Sequence, residues 1–471
     1  MDGARGRKPQ GGRGARPAAP RGRGAGGSRS GTATSRGPRR EGSTARRRPS
    51  ATKSLSAGPA ASGGEKLPAR RNGTAVTRVP AARRRAEVPD GAVPASGAVL
   101  RSPSVAGAPR LREVVSRLTL VREDVSEASE LVNKVVSRLI QALRSNGGSF
   151  SSIKRLGAGS YYEHVKISEP NEFDIMLVMP IARLQLDECD DTGAYYYVTF
   201  KRNPKERYLL KFLDENGKLS ALKMLQELRE IIKQEVKNFK DVEVTVQRRK
   251  AGSPAITLQI KNPPAADISV DIILTLEVQQ SWPRSTQDGL KIELWLGRKV
   301  KGQFRNEAIY LVAKQNKKEK VLRGNTWRLS FLHIEKAMLN NHGSSKTCCE
   351  SDGLKCCRKS CLKLLKYLLE QLKMKYPKKL EKFCSYHVKT AFFHSCVTWP
   401  NDTDWHSGDL DYCFQKCLGY FLHCLQKSQL PHFFIPKYNL LSLEDKVSND
   451  FLSRQINSEL NNGFPIFQER F

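Results

Sequence analysis

Apolar residues between Leu111 and Leu143 recur three and four positions apart, through Val114, Leu118, Val125, Leu131, Val132, Val135 and Leu139. That period predicts a long amphipathic helix, and the acids around Ser126 predict a break near Asp124. A Gly- and Ser-rich stretch, 146–160, follows. The period then changes. Asn171 to Val178 is an apolar run interrupted by two acids and predicts a strand, as does Tyr195 to Phe200. Val242, Val244 and Val246 alternate with polar residues, and Ile256, Leu258 and Ile260 do so beyond the turn-forming 251–254, which predicts a β-hairpin. Ile268 to Leu276 is almost continuously apolar, the signature of a strand central in its sheet. Helical spacing marks Ser220 to Val236 and then the segments 326–341, 358–376, 384–396, 409–427 and 445–461. Strands first and helices later predict an α+β protein: a mixed sheet lobe with the long first helix, 111–325, then a helical lobe, 326–471.

Residues 1–110 carry no such period. They hold 24 Lys and Arg against 5 acids among Gly, Ala, Pro and Ser, and cannot bury enough surface to offset chain entropy. A disordered basic tail is expected there. The tail leaves +14 of the net charge of +33 to residues 111–471, so both parts favour a polyanionic partner, nucleic acid before membrane. No apolar run is long enough for a transmembrane span, and the N-terminus lacks the apolar block of a secretory signal. Eleven cysteines, an odd count beginning only at Cys189, fit a reducing compartment. An intracellular protein is expected.

In a strand, residues two apart share a face, so Glu172 and Asp174 present two carboxylates side by side. Asp271 is the lone charge in another apolar strand. Repelling or buried carboxylates are costly unless paired or bound to a cation. A hard divalent ion shared by all three removes both costs and bridges readily to phosphate. Just upstream, Gly157-Ala158-Gly159-Ser160 has the small residues and hydroxyl of a phosphate cradle. Together these point to a metal-dependent nucleotidyltransferase.

His342, Cys348, Cys349 and Cys356 supply one imidazole and three thiolates within fifteen residues of polar loop. That donor set suits a closed, structural Zn²⁺ site spanning 342–356, with Cys357 or Cys361 as an alternative to Cys356. Lys336, Lys346, Arg358, Lys359 and Lys363 surround the loop, with Lys359 and Lys363 one helical turn apart. A metal-pinned loop flanked by cations is suited to a duplex backbone.

The segments 159–167 (GSYYEHVKI), 171–174 (NEFD), 269–272 (SVDI), 326–331 (TWRLSF), 341–343 with 346–349, and 385–393 (SYHVKTAFF) closely resemble the cyclic GMP-AMP synthases, DNA-sensing nucleotidyltransferases of the male-abnormal-21-like family. The likeness covers 112–471. It implies an enzyme, activated by double-stranded DNA without sequence preference, that joins ATP and GTP into a cyclic dinucleotide with one 2′-5′ and one 3′-5′ linkage. Two Mg²⁺ ions, with Mn²⁺ as the alternative, would sit on Glu172, Asp174 and Asp271. Gly159 and Ser160 would hold the triphosphate, Arg328, Ser330 and Glu335 would face the nucleotides, Lys366 and Ser385 would contact phosphate, and Tyr386 would stack on a base. One structural Zn²⁺ would occupy the loop. DNA would lie on Arg122, Lys336, Lys346, Lys359 and Lys363 in a 2:2 homodimer, in cytosol and nucleus, with nucleosomes and anionic membrane lipids as further partners for the basic parts. Ala158 for Thr, Leu332 for Ser and Thr119 for Lys depart from the pattern, the first two at the nucleotide site and the third at a DNA contact. The alternatives are an RNA-activated linear oligonucleotide synthase, whose relatives lack the 342–356 insertion, and a catalytically silent DNA or chromatin binder, which has no use for clustered acids.

Overall fold

The computed structural model describes residues 111–468 apart from Val121, Asn146, Gly147, Ser168, Pro170, Lys205, Glu206, 250–252 and 317–323. The basic tail lies outside the described residues, as do the side chains of Arg122, Glu123 and Asp124.

The first amphipathic segment forms two helices, α1 (Leu111–Arg117) and α2 (Arg122–Ser145). Their break falls ahead of Asp124: Thr119 N–H reaches back to the Ser116 carbonyl and its hydroxyl to Val115 O, which tightens and ends the last turn of α1. Then come β1 (Lys154–Ala158), α3 (Gly159–Tyr162), β2 (Glu172–Pro180), β3 (Leu184–Glu188), β4 (Tyr195–Phe200) and α4 (Ala221–Val236). The Ser220 hydroxyl caps α4 by accepting from Lys223 N–H. β5 (Val244–Val246) and β6 (Ala255–Ile260) form the expected hairpin, followed by β7 (Ile268–Val278), α5 (Arg298–Arg305), β8 (Ile309–Val312) and β9 (Thr326–Ser330). The remaining helices are α6 (Leu332–Asn340), α7 (Arg358–Lys375), α8 (Ser385–Thr398), α9 (Leu410–Lys427) and α10 (Lys446–Asn461).

Among the described residues these strands make one mixed sheet in the order β1-β2-β7-β8-β9-β4-β3, with β6 also on β7 and β5 beyond it. β7 pairs along one edge with β2, in parallel, while its other edge is shared by β6 on the first half and β8 on the second. Being flanked throughout, it is apolar almost throughout. The segment 326–341 is not one helix as its spacing suggests. Trp327 and Leu329 alternate with Arg328 and enter the core as part of β9, and helix begins only at Leu332. The sheet therefore carries one strand beyond residue 325.

Phe173, Ile175 and Leu177 of β2 face the main core with Val270, Ile272 and Leu274 of β7. The opposite face carries Glu172, Asp174 and Asp271, then a small second apolar cluster of Met176, Val178, Ile273 and Val312. Ala158 belongs to that cluster and Leu332, half-buried, packs against it.

Candidate active site and metal-binding loop

The parallel register of β2 and β7 sets Asp174 directly beside Asp271, with Glu172 two residues away on the same face. Thr257 on β6 donates its hydroxyl to Asp271 Oδ1 at 2.6 Å. Lys166 pairs with Glu172 at 2.6 Å. Burial, and then the charges of Asp271, Glu163 and Glu172, push Asp174 up to about 6. A divalent cation would offset every one of these causes, so the donor set fits a hard metal ion.

β1 delivers the phosphate loop onto this face, Ala158 lying opposite Asp174. Gly159 has φ +76°, and a Cβ there would fall 1.9 Å from Asp174 Oδ2, so both backbone and space demand glycine. Ser160 follows at the start of α3. With Lys166, Glu172, Lys366, Lys373 and Ser385 it lines a cleft of about 440 Å³. Burial brings the Lys366 ammonium down to about 8, and its Nζ donates to Val165 O at 2.7 Å. The three lysines of the cleft outnumber its two acids, Glu172 and Glu370, which suits a polyanion.

Glu335, Arg328, Ser330 and Tyr386 form a second group. The Tyr386 hydroxyl donates to Glu335 Oε1 at 3.0 Å and meets His432 Nε2 at 2.9 Å. His432 Nδ1 accepts from the backbone N–H groups of Phe434 and Ile435, so its proton is on Nε2, which donates to the tyrosine oxygen. Burial, then Arg328, hold His432 down to about 3, neutral in this role. Ser330 is buried at the end of the strand that carries Arg328. Glu335 Oε2 and Glu163 Oε1 share Lys389 Nζ, at 2.6 and 2.7 Å.

In the 342–356 loop, one donor atom each from His342, Cys348, Cys349 and Cys356 lies within 4.8 Å of the others. Cys357 and Cys361 are instead buried in the core at the start of α7, so Cys356 is the residue that joins the group. His342 Nδ1 is hydrogen-bonded to Leu339 O at 2.9 Å, while buried Nε2 has no protein partner. An imidazole held by its distal nitrogen with the other lone pair free is how a histidine is set to bind metal. Burial keeps it neutral. The donors fit a tetrahedral thiolate-imidazole centre. Asp402 holds the loop's entry, accepting from Ser344 N and Ser345 N at 2.8 Å each and from Arg358 at 2.6 Å. Arg358, expected among the cations that surround the loop, is wholly buried, bonded also to the carbonyls of Pro400 and Asn401, and so is a brace of the loop and not part of a DNA surface.

Lys336, Lys359 and Lys363 converge on His164, whose imidazole is held below its usual value by burial and then by these three charges. Lys336 also donates to Gly157 O at 3.0 Å, so the basic face touches the phosphate loop. Lys346 is exposed on the metal-binding loop. The Arg122 side chain lies outside the described residues.

Sequence reading gave no role to Lys166, Glu163, Lys389, His432 or Asp402. The available signal was weak: Lys389 follows Ser385 by four residues on one helical face, and Lys166 and Glu163 lie within the motif that begins at Gly159.

Residues 161–341 match the Mab-21 protein nucleotidyltransferase domain, and residues 357–458 match the Mab-21 protein HhH/H2TH-like domain. Cyclic GMP-AMP synthase of Mus musculus is 54% identical over 362 residues, covering 76% of this chain and 71% of the relative. That of Sus scrofa is 53% identical over 365 residues, covering 77% and 73%. A cyclic GMP-AMP synthase-like receptor of Magallana gigas is 27% identical over 348 residues, covering 71% and 55%.

Proposed function

This chain belongs to the cyclic GMP-AMP synthases, nucleotidyltransferases of the Mab-21 family, and from that premise we propose that double-stranded DNA switches on its synthesis of a mixed-linkage cyclic GMP-AMP. The product, with one 2′-5′ and one 3′-5′ bond, would serve as a second messenger of innate immunity. The protein would work in the cytosol and nucleus, as a 2:2 assembly with DNA. The observation that carries this reading is the convergence of Glu172, Asp174 and Asp271 beside Gly159 and Ser160 on the cleft face of the sheet.

In this scheme Gly159 and Ser160 hold the triphosphate by backbone amide and hydroxyl, and Lys366 and Ser385 neutralise and position phosphate oxygens. Tyr386 offers a base platform, with Arg328, Ser330 and Glu335 facing the nucleotides. Divalent cations on the three carboxylates would supply what the acids alone cannot, neutralising the phosphates and making the ribose hydroxyl easier to ionise. Two successive transfers, each expelling pyrophosphate, close the ring. The 342–356 loop, with Zn²⁺ as the ion its donors suit best, holds Lys346 and the start of α7 in place for the phosphodiester backbone. Lys336 ties that surface to the chemistry: a DNA phosphate that draws its ammonium away from Gly157 O acts directly on the phosphate loop.

Purified protein given ATP, GTP and Mg²⁺ should yield, only with long duplex DNA, a cyclic dinucleotide identified by mass spectrometry. A nuclease specific for 3′-5′ bonds should open it at one linkage. A linear product, or equal output with double-stranded RNA, would favour the RNA-activated reading. Replacing both Lys359 and Lys363 by Ala should weaken DNA binding equally for unrelated sequences and flatten the log-affinity against log-salt slope by about two. Titration at several salt concentrations checks this, and an unchanged slope would remove the two lysines from the interface.

A further inference from the structure

Glu163, Lys389 and Glu335 hold neither phosphate nor metal in the scheme above, yet they join three elements of the cleft. Glu163 and Glu335 are each 1% exposed and Lys389 is 9% exposed. Charges so deeply buried contribute little net stability, but they hold geometry tightly, because moving one strips the others of compensation. Burial opposes the Lys389 charge, while Glu335 and Glu163 hold the ammonium above the usual lysine range.

Each carboxylate leads to a different functional part. Glu163 closes α3, its N–H bonded to Gly159 O at 3.1 Å, so one arm ends on the residues of the phosphate loop. Glu335 accepts from the Tyr386 hydroxyl, which accepts in turn from His432, so the other arm ends on the base platform. Lys389 stands between them on α8, three residues beyond Tyr386 and on the same helical face.

We infer that Lys389 is a positioning residue for nucleotidyl transfer, one that fixes the phosphate loop relative to the Glu335–Tyr386 platform without touching substrate. The inference deepens the reading of this cleft as a cyclic dinucleotide synthase and rests on it. A nucleotide with its triphosphate on Gly159 and Ser160 and its base on Tyr386 spans the two arms. Displacement of either end by an ångström misplaces the α-phosphorus relative to Asp174, and such errors are costly in rate. The arms should separate kinetically. The Glu335 arm governs how well the base is held and therefore KM, while the Glu163 arm governs how the triphosphate meets the carboxylates and therefore kcat.

Two variants test this. The double variant Glu163→Gln with Lys389→Met keeps the trio's net charge while deleting the bridge. It leaves buried Glu335 without its ammonium, so the melting temperature should fall, and the protein that stays folded should show a KM for nucleotide raised about tenfold or more. Glu163→Gln alone leaves Lys389, Glu335 and Tyr386 joined, and should lower kcat several-fold with KM within about twofold. A folded double variant with unchanged KM overturns the inference, as does a single variant with unchanged kcat. Should the double variant unfold, the single variant decides alone. Affinity for a non-hydrolysable ATP analogue is measured alongside. If the wild type makes no cyclic product, the functional reading fails, and a double variant binding the analogue as tightly as wild type still refutes the positioning role.

Discussion

Asp174→Asn should leave a folded, DNA-binding protein whose cyclic dinucleotide output falls by about a thousandfold or more. Three features mark Asp174. It lies directly beside Asp271 across the β2–β7 ladder, it stands against Gly159 so closely that no side chain fits between them, and burial and its acidic neighbours raise it to about 6. Asparagine keeps the shape and removes both the charge and half the donor capacity for a hard cation. Product quantified by mass spectrometry, beside DNA affinity by fluorescence polarisation, checks the split. Near-normal output would displace the metal site from these strands. The same crowding gives a pH dependence of known sign. Below about 6 the metal-free Asp174 is protonated and metal must displace that proton, so apparent Mg²⁺ affinity should rise with pH through 6 and then level. Calorimetric Mg²⁺ titrations from pH 5 to 8 would show it, and a flat profile would contradict it.

Much of this site could be read from the sequence because its signals are local. Glu172 and Asp174 share a face by strand geometry alone, and Asp271 stands out as a charge in an apolar run whose continuity reflects partners on both edges. The cluster of four donors in the 342–356 loop was equally visible, since they lie within fifteen residues. What stayed hidden depends on separation or on a second influence over the pattern. β1 reads Lys-Arg-Leu-Gly-Ala, without alternation, because its close approach to Asp174 and Tyr162 selects small residues over apolar ones. β9 is five residues long and runs almost directly into α6, so the helical period of Leu332 to Asn340 obscured it. Lys389 and Glu163 are 226 residues apart, and no local period records that pairing. Arg358 looked like one more cation beside Lys359, and only the fold turns it inward to Asp402.

On the proposed reading, in which the 342–356 loop holds a metal ion and DNA activates the enzyme, removing that ion by strong chelation or by Cys349→Ser should sharply lower the melting temperature of the helical lobe and abolish DNA-dependent activation, while nucleotide binding survives in whatever fraction stays folded. Hydrogen bonds hold the two ends of the loop, from Trp295 Nε1 to His342 O and from Ser407 N–H to Lys355 O, but its four donors are drawn together with no protein group between them. Cys349 sits at φ +64°, Cys348 Sγ and Cys356 Sγ lie 3.9 and 3.7 Å from Cys349 Sγ, and His342 Nε2 is buried with no protein partner. Without a cation, the crowded thiols and the orphaned imidazole are liabilities. Burial, and then Cys356, push the Cys348 thiol far above its ordinary value, so bringing thiolates together without metal is unfavourable. Structural zinc centres release on the order of 10 kcal/mol on binding, well beyond what the Asp402 contacts to Ser344, Ser345 and Arg358 would replace. Because Asp402 braces the entry to the loop and the backbone bonds of 355–357 to 405–407 brace its exit, the 346–354 part should loosen first, Lys346 with it. Cys357→Ser is the control. Its thiol lies in the core beside Cys361 and outside the donor group, so it should keep one equivalent of bound zinc by elemental analysis and retain DNA activation. A chelated protein with unchanged melting and activation, or a Cys357 variant that loses its zinc, would reassign the ligands.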